Sequence, residues 1–238
     1  DRHMARLSAG CSVLGLPRQE DALLAAEAQQ LLRQHGAPAG RKVVKIIVTR
    51  GEHGCSYFPL QGEATRILYC REWPQWREQQ AQAGIALHHC QTHLATGSPL
   101  AGIKSLNRLE QVIAAAEVRQ AGFHEGLLCD ADGFVVETLM SNLFWLEQGV
   151  LHTPLLDRCG VSGVMRAEVI AQAGRFGIEV REVRKRAGAL HRAEAIFLTN
   201  ALGLTPVREY AGKHMDSDAV PTKIDDAIKQ LLSCQSAA

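Results

Sequence analysis

Leu100-Ala101-Gly102-Ile103-Lys104-Ser105-Leu106-Asn107-Arg108-Leu109-Glu110-Gln111 is the stretch from which the rest of the chain is read. A glycine precedes a lysine, and a helical pattern follows. Leu106, Leu109, Ile113 and Ala116 recur at spacings of three and four, which predicts a helix with one apolar face. Lys104 then falls at or just before the helix N-terminus. Partial positive charge there, with partial burial, disfavours an ammonium ion. A lysine held neutral can attack a carbonyl as an amine. A lone lysine at a loop–helix junction is ordinarily a solvated surface group, so its meaning rests on what accompanies it.

Composition narrows the classes. The 238 residues suffice for one large domain or two small ones. Hydrophobic residues make up 46% and charged residues 21%, an ordinary globular balance. A formal net charge of +1 gives no strong field for nucleic acid or a membrane surface. The cysteines (Cys11, Cys55, Cys70, Cys90, Cys129, Cys159 and Cys234) are odd in number and contain no CxxC pair. Neither a zinc nor a disulfide framework is expected. They read as small hydrophobes in a reducing, cytoplasmic compartment. No run approaches the roughly 18 apolar residues of a membrane span, and no signal peptide is expected.

Along the chain, Glu20 to His35 reads as a helix stopped by Gly36 and Pro38. Lys42 to Thr49 and Ala64 to Cys70 read as strands around the Arg50-Gly51-Glu52-His53-Gly54 turn. Glu72 to Gly84 reads as a link between two domains. His88 and His89 fall on opposite faces of a strand, so they do not share a metal ion, and no metal site is expected. Glu125 to Val136 reads as a hairpin about Asp130-Ala131-Asp132-Gly133. Ser162 and Gly163 precede a helix from Val164, with Ser162 as its cap. Thr222 to Leu232 closes the chain as an amphipathic helix.

Several stretches together resemble the fold-type-IV pyridoxal-phosphate enzymes. These are the Lys104 segment, Glu137-Thr138-Leu139-Met140-Ser141-Asn142-Leu143-Phe144, Gly163-Val164-Met165-Arg166 and Thr199-Asn200-Ala201. His3-Met4-Ala5-Arg6-Leu7 is similar to a further element of that family. The resemblance implies an α/β (α+β) fold of two domains, like D-amino acid aminotransferase, with the cofactor in the interdomain cleft. The domain boundaries expected are 1–76, a smaller N-terminal α/β domain that is N-terminally incomplete beside its relatives, and 77–238, a larger cofactor-binding domain. It also implies a role for each site residue. Lys104 is the catalytic residue and joins pyridoxal 5′-phosphate covalently. Glu137 keeps the ring nitrogen protonated, as an electron sink requires. Arg6, the main-chain N–H groups of Val164 and Met165, and Asn200 hold the phosphate.

Within the family, the wording of the Lys104 segment is most similar to the 4-amino-4-deoxychorismate lyase branch, since aminotransferases usually carry tyrosine where this chain has Arg108. The implied activity converts that small molecule to 4-aminobenzoate and pyruvate in folate biosynthesis. The rival readings are a branched-chain or D-amino acid aminotransferase and, more distantly, a non-catalytic cofactor-binding dimer. A homodimer is implied by the family alone. Arg50, His93 and Arg158 are candidates for the substrate carboxylates.

Overall fold

The computed structural model describes residues 2–35, 40–52 and 62–234. The expected helix stop at Gly36 and Pro38, His53 and Gly54 of the expected turn, and Cys55 lie outside the described residues. The chain forms two compact units, Asp1–Gln75 and Trp76–Ala238.

The first unit holds helices α1 (Arg2–Val13) and α2 (Asp21–Gln34) and strands β1 (Lys42–Thr49) and β2 (Thr65–Glu72). The β-branched run of β1 pairs antiparallel with β2 along its whole length, from Lys42 opposite Glu72 to Thr49 opposite Thr65. The ladder is closed at one end by the Lys42–Glu72 ion pair. There the Arg41 guanidinium also lies 3.6 Å above the Trp73 ring, a cation–π contact. Among the leucines of α2, Leu24 is buried, while Leu23 and Leu32 face outward.

The presumptive link at Glu72 to Gly84 is not a plain loop. Gln75–Ala83 forms helix α3, which carries the buried Arg77. The second unit continues with β3 (Ile85–Leu94), α4 (Leu109–Gln120), β4 (Glu125–Asp130), β5 (Val135–Thr138), β6 (Asn142–Glu147) and β7 (Val150–Pro154). It ends with α5 (Val164–Arg175), β8 (Val180–Val183), β9 (Ala195–Asn200), β10 (Gly203–Tyr210), β11 (Lys213–His214) and α6 (Thr222–Cys234). Ala187–Arg192 is a short 3-10 helix.

The strands form one mixed sheet in the order β5-β4-β3-β10-β9-β6-β7-β8, with β11 beside β10. The sheet curls until its edges approach: Val135 N donates to Lys185 O, and Phe134 bridges Arg186. Inside the curl lies a core of Leu87, Leu127, Leu143, Trp145, Ile196, Leu198 and Val207. Alternation along each strand gives the other face to the helices. Phe144 and Phe197 stack there, their ring centroids 5.2 Å apart, against α5 and α6. Ile224 and Ile228, one helical turn apart on α6, are fully buried in this layer. Each such side chain stabilises the fold by about 1.5–3 kcal/mol on burial. Leu128 and Val136 meet Ala114 and Val118 of α4 on the same outer face.

The free cysteines Cys11, Cys90, Cys129 and Cys159 are buried among apolar side chains. His88 meets Glu117 and Phe123 on one face of β3, whereas His89 meets Tyr210 and Cys129 on the other.

Candidate active site

Lys104 is exposed in a short non-helical run. The helix expected to begin at or just after it starts at Leu109, with Arg108 as its first half-turn residue. Ser105 to Arg108 intervene, so the helix-end field, which fades within a turn, does not explain an activated amine at Lys104. The apolar face differs as well. Leu106, Leu109, Val112 and Ile113 are 64%, 77%, 62% and 61% exposed, and α4 instead buries Gln111, Ala114 and Val118. The period was right, but two stripes share it, and the leucine stripe points away from the core of this chain.

What places Lys104 is backbone pairing. Gly102 N donates to Gly160 O at 3.0 Å, and Ser162 N donates to Gly102 O at 2.9 Å. Gly102 sits at φ 76°, a conformation that disfavours side chains, and a Cβ there would press on Ser162 Oγ. The lysine segment is thereby stitched to the segment leading into α5.

Glu137, on β5, is almost wholly buried beneath that stitch. Its Oε2 accepts from Val161 N at 2.8 Å, and its Oε1 accepts from Gln111 Nε2 at 3.4 Å. The Arg108 guanidinium lies 3.9 Å from Oε1 and also donates to Ile103 O at 3.0 Å. Burial pushes the carboxyl above its ordinary value, and the Val161 N–H, Arg108, Gln111 and Lys104 pull it back. A buried carboxylate whose nearest guanidinium stands 3.9 Å away, beyond hydrogen-bond range, is suited to a further cationic partner, such as a protonated ring nitrogen.

The phosphate end is built on α5. Its cap is Gly163, with no side-chain capping bond, rather than Ser162 as expected. The first N–H groups of the helix, those of Val164 and Met165 among them, have no partner within the helix. A Cβ on Gly163 would collide with Asn142 Oδ1, and Asn142 Nδ2 donates to Val161 O at 2.8 Å. The glycine is required by Asn142. Arg166 turns inward to Pro154 O and Glu182, so it fixes the helix to β7 and β8. An uncapped helix start, a buried carboxylate and a lysine on one stitched framework fit the phosphate, ring nitrogen and aldehyde of pyridoxal 5′-phosphate.

Asn200 ends β9. Its amide already donates to Ser141 Oγ at 3.0 Å and Met140 O at 3.4 Å, while its Oδ1 accepts from Leu202 N at 2.9 Å. Its visible work is to join two turns. Donation from this amide to a phosphate requires giving up one of those bonds. Thus Lys104, Glu137, Val164, Met165 and Asn200 belong to the second unit, and Arg6 to α1 of the first. Among the carboxylate candidates, Arg158 is engaged by Asp132 at 2.7 Å, and Arg50 donates to Leu14 O and Gly15 O in the first unit. His93 is exposed on β3. Gln111 and Asn142 were not singled out from the sequence. A glutamine in register with Ala114 and Val118 was the available signal for the first.

The amino-transferase class IV family pattern matches residues 1–210. Aminodeoxychorismate lyase of Vibrio harveyi is 33% identical over 170 residues, 69% of this chain and 61% of that enzyme. A putative branched-chain-amino-acid aminotransferase of Methanocaldococcus jannaschii is 37% identical over 179 residues, 74% of this chain and 62% of that protein. The chain therefore spans less than two thirds of the length of either. The crystal structure of 4-amino-4-deoxychorismate lyase from Pseudomonas aeruginosa superposes with a TM-score of 0.86 at 39% identity, over 96% of this chain and 84% of that one. A curled mixed sheet with a lysine, a buried glutamate and an uncapped helix start along one edge is the architecture of fold type IV, and the chain belongs to the class IV amino-transferase family, whose cofactor is pyridoxal 5′-phosphate.

Proposed function

We propose that the chain is the lyase that converts 4-amino-4-deoxychorismate to 4-aminobenzoate and pyruvate in folate biosynthesis. The observation that carries this reading is the Arg108 bridge between Ile103 O and Glu137. An arginine there keeps a cation beside the glutamate, where the aminotransferase branch usually has a tyrosine. The likeness to the two lyases, at 33% and 39% identity, supports it.

Pyridoxal phosphate supplies an electron sink for the carbon that bears the substrate amine. Lys104 would hold the cofactor's aldehyde and, as a free amine, would take the proton from that carbon. Glu137 would hold the proton on the ring nitrogen, and the first N–H groups of α5 would bind the phosphate. The carbon–oxygen bond to the enolpyruvyl group on the neighbouring ring carbon then breaks. The ring becomes aromatic, and a proton delivered to the departing methylene carbon completes pyruvate. Ring aromatisation makes the release irreversible.

This reading includes a homodimer in the cytoplasm. The outward stripe of Leu106, Leu109, Val112 and Ile113 is an apolar face that a second copy can cover. No described helix is long and apolar enough to cross a membrane. Sedimentation of the purified chain tests the dimer, and Leu109→Lys shifts it toward monomer.

The aminotransferase reading is favoured by the 37% identity to the archaeal protein. A steady-state assay separates the two. With aminodeoxychorismate alone, 4-aminobenzoate and pyruvate form in equal amounts, and transamination of branched-chain or D-amino acids with 2-oxoglutarate is slower by about tenfold or more, a barrier difference near 1.4 kcal/mol. Faster transamination than elimination overturns the lyase reading and leaves the family intact.

A further inference from the structure

Two buried charges lie at the end of the sheet that carries Asn200 and Ser141, and no step above uses them. Arg77 of α3 and Glu125 at the start of β4 are both almost fully buried. Strand β3 joins β10 only from Val207 onward, so Gly203 and Thr205 extend beyond the ladder on that side. Arg77 takes the place of the missing strand. Its Nη2 donates to Gly203 O at 3.0 Å, and its Nη1 donates to Thr205 Oγ1.

Glu125 does the matching work on a second turn. Its Oε1 accepts from Leu139 N at 2.9 Å and from Gly126 N at 3.1 Å. Leu139 and Met140 lie in the β5–β6 turn, which Thr138 closes by donating from Oγ1 to Ser141 O at 3.1 Å. Asn200 to Leu202 make the β9–β10 turn, and the Asn200 amide crosses from it to Ser141. Each turn is thus gripped by one member of an opposite-charge pair, and each charge is among those that sustain the other.

Two buried opposite charges are a poor source of stability, because taking both out of water offsets their attraction. Apolar side chains of similar volume would fill the same space. What they would lack is direction: a planar guanidinium and a carboxylate fix the atoms they bond. We infer that Arg77 and Glu125 are positioning residues for the phosphate end of the cofactor site, setting the gap between the β5–β6 and β9–β10 turns. This rests on the reading above that the phosphate lies between the α5 N-terminus and the β9–β10 turn.

The test uses the full chain, stripped of cofactor, at pH 8. It is titrated spectroscopically with pyridoxal 5′-phosphate and with pyridoxal, which has the same aldehyde and ring but no phosphate. Arg77→Lys keeps the charge but loses the two-pronged grip, and Glu125→Gln keeps the shape but loses the charge. Each should weaken pyridoxal phosphate binding by about tenfold, the scale of a charged hydrogen bond, while pyridoxal affinity changes less than about twofold. Equal weakening for both ligands, or unchanged pyridoxal phosphate affinity, overturns the inference. Thr205→Val, which removes only the hydroxyl that Arg77 grips, serves if the first two variants do not fold. It should show the same selectivity at about threefold, and its absence is equally decisive. A wild-type chain that fails to prefer the phosphorylated ligand strikes instead at the phosphate site itself, a separate failure.

Discussion

The Arg108 guanidinium spans the two chemical halves of the site: Nη2 donates to Ile103 O, one residue before Lys104, and Nη1 lies 3.9 Å from Glu137 Oε1. Lysine and carboxylate come from a loop and from β5, so neither element alone sets their spacing. Arg108, with the Val161 N–H and Gln111 on the glutamate, supplies that link.

Borohydride treatment of the cofactor-loaded chain should fix the label on Lys104, and peptide mapping reads its position. A label on Lys42 or Lys45 removes Lys104 from its assigned role. The Lys104→Ala variant should retain the fold, since the side chain is exposed.

Glu137→Gln keeps the shape and the acceptor for Val161 N while removing the charge. Turnover should fall by about two orders of magnitude, near 2.7 kcal/mol in barrier. Cofactor binding through Lys104 should persist, as followed by its absorption. An unchanged rate excludes Glu137 as the partner of the ring nitrogen.

Gly163→Ala places a methyl group against Asn142, which cannot yield without releasing Val161 O. Cofactor affinity should fall by about tenfold, together with a loss of stability of about 1–3 kcal/mol from overpacking. Equilibrium titration and denaturant melts measure the two effects. A Gly174→Ala control, on the open side of α5, should leave cofactor affinity unchanged and cost no stability.

Burial pushes the Glu125 carboxyl up to about 7 from an ordinary value of 4.5. The folded chain then keeps a proton that the unfolded chain has released. Stability from this group is complete below about pH 4.5 and is lost as pH rises through about 7. Denaturant melts from pH 5 to 8 should show a decline that Glu125→Gln reduces, by up to about 3 kcal/mol. Glu137 is raised in the same direction, so the difference between wild type and variant isolates Glu125. Parallel pH profiles for the two proteins refute the assignment.

The parts of the site legible in the sequence were those whose residue type is dictated by chemistry. A lysine, a carboxylate and a glycine before a helix leave few substitutes, and their order along the chain was enough to mark them. Strand β1 and helix α5 were legible because β-branched runs and 3.6-residue spacing report local structure directly. The start of α4 was not. Leu106 and Leu109 have helical spacing, yet the chain before Lys104 is held out of the helix by Gly102 and Gly160, a pairing that spans 58 positions, from 102 to 160. No local pattern encodes such a partner. The same holds for Gln111 and Arg77, polar residues whose value lies in contacts 26 and 128 positions away.

The stitch between Gly102 and the segment from Gly160 to Ser162 is made of main-chain bonds alone. Apart from the glycines at 102 and 160, whose positive φ and close neighbours exclude a Cβ, it therefore constrains chain length more strictly than residue identity. One residue, Ile103, stands between Gly102 and Lys104, and one, Gly163, between Ser162 and Val164, so these counts act as a gauge for the distance between the two anchoring points. Side chains at Ile103 and Val161 are open to exchange during divergence or directed evolution. A single insertion or deletion in either interval changes the span that a bound molecule must match.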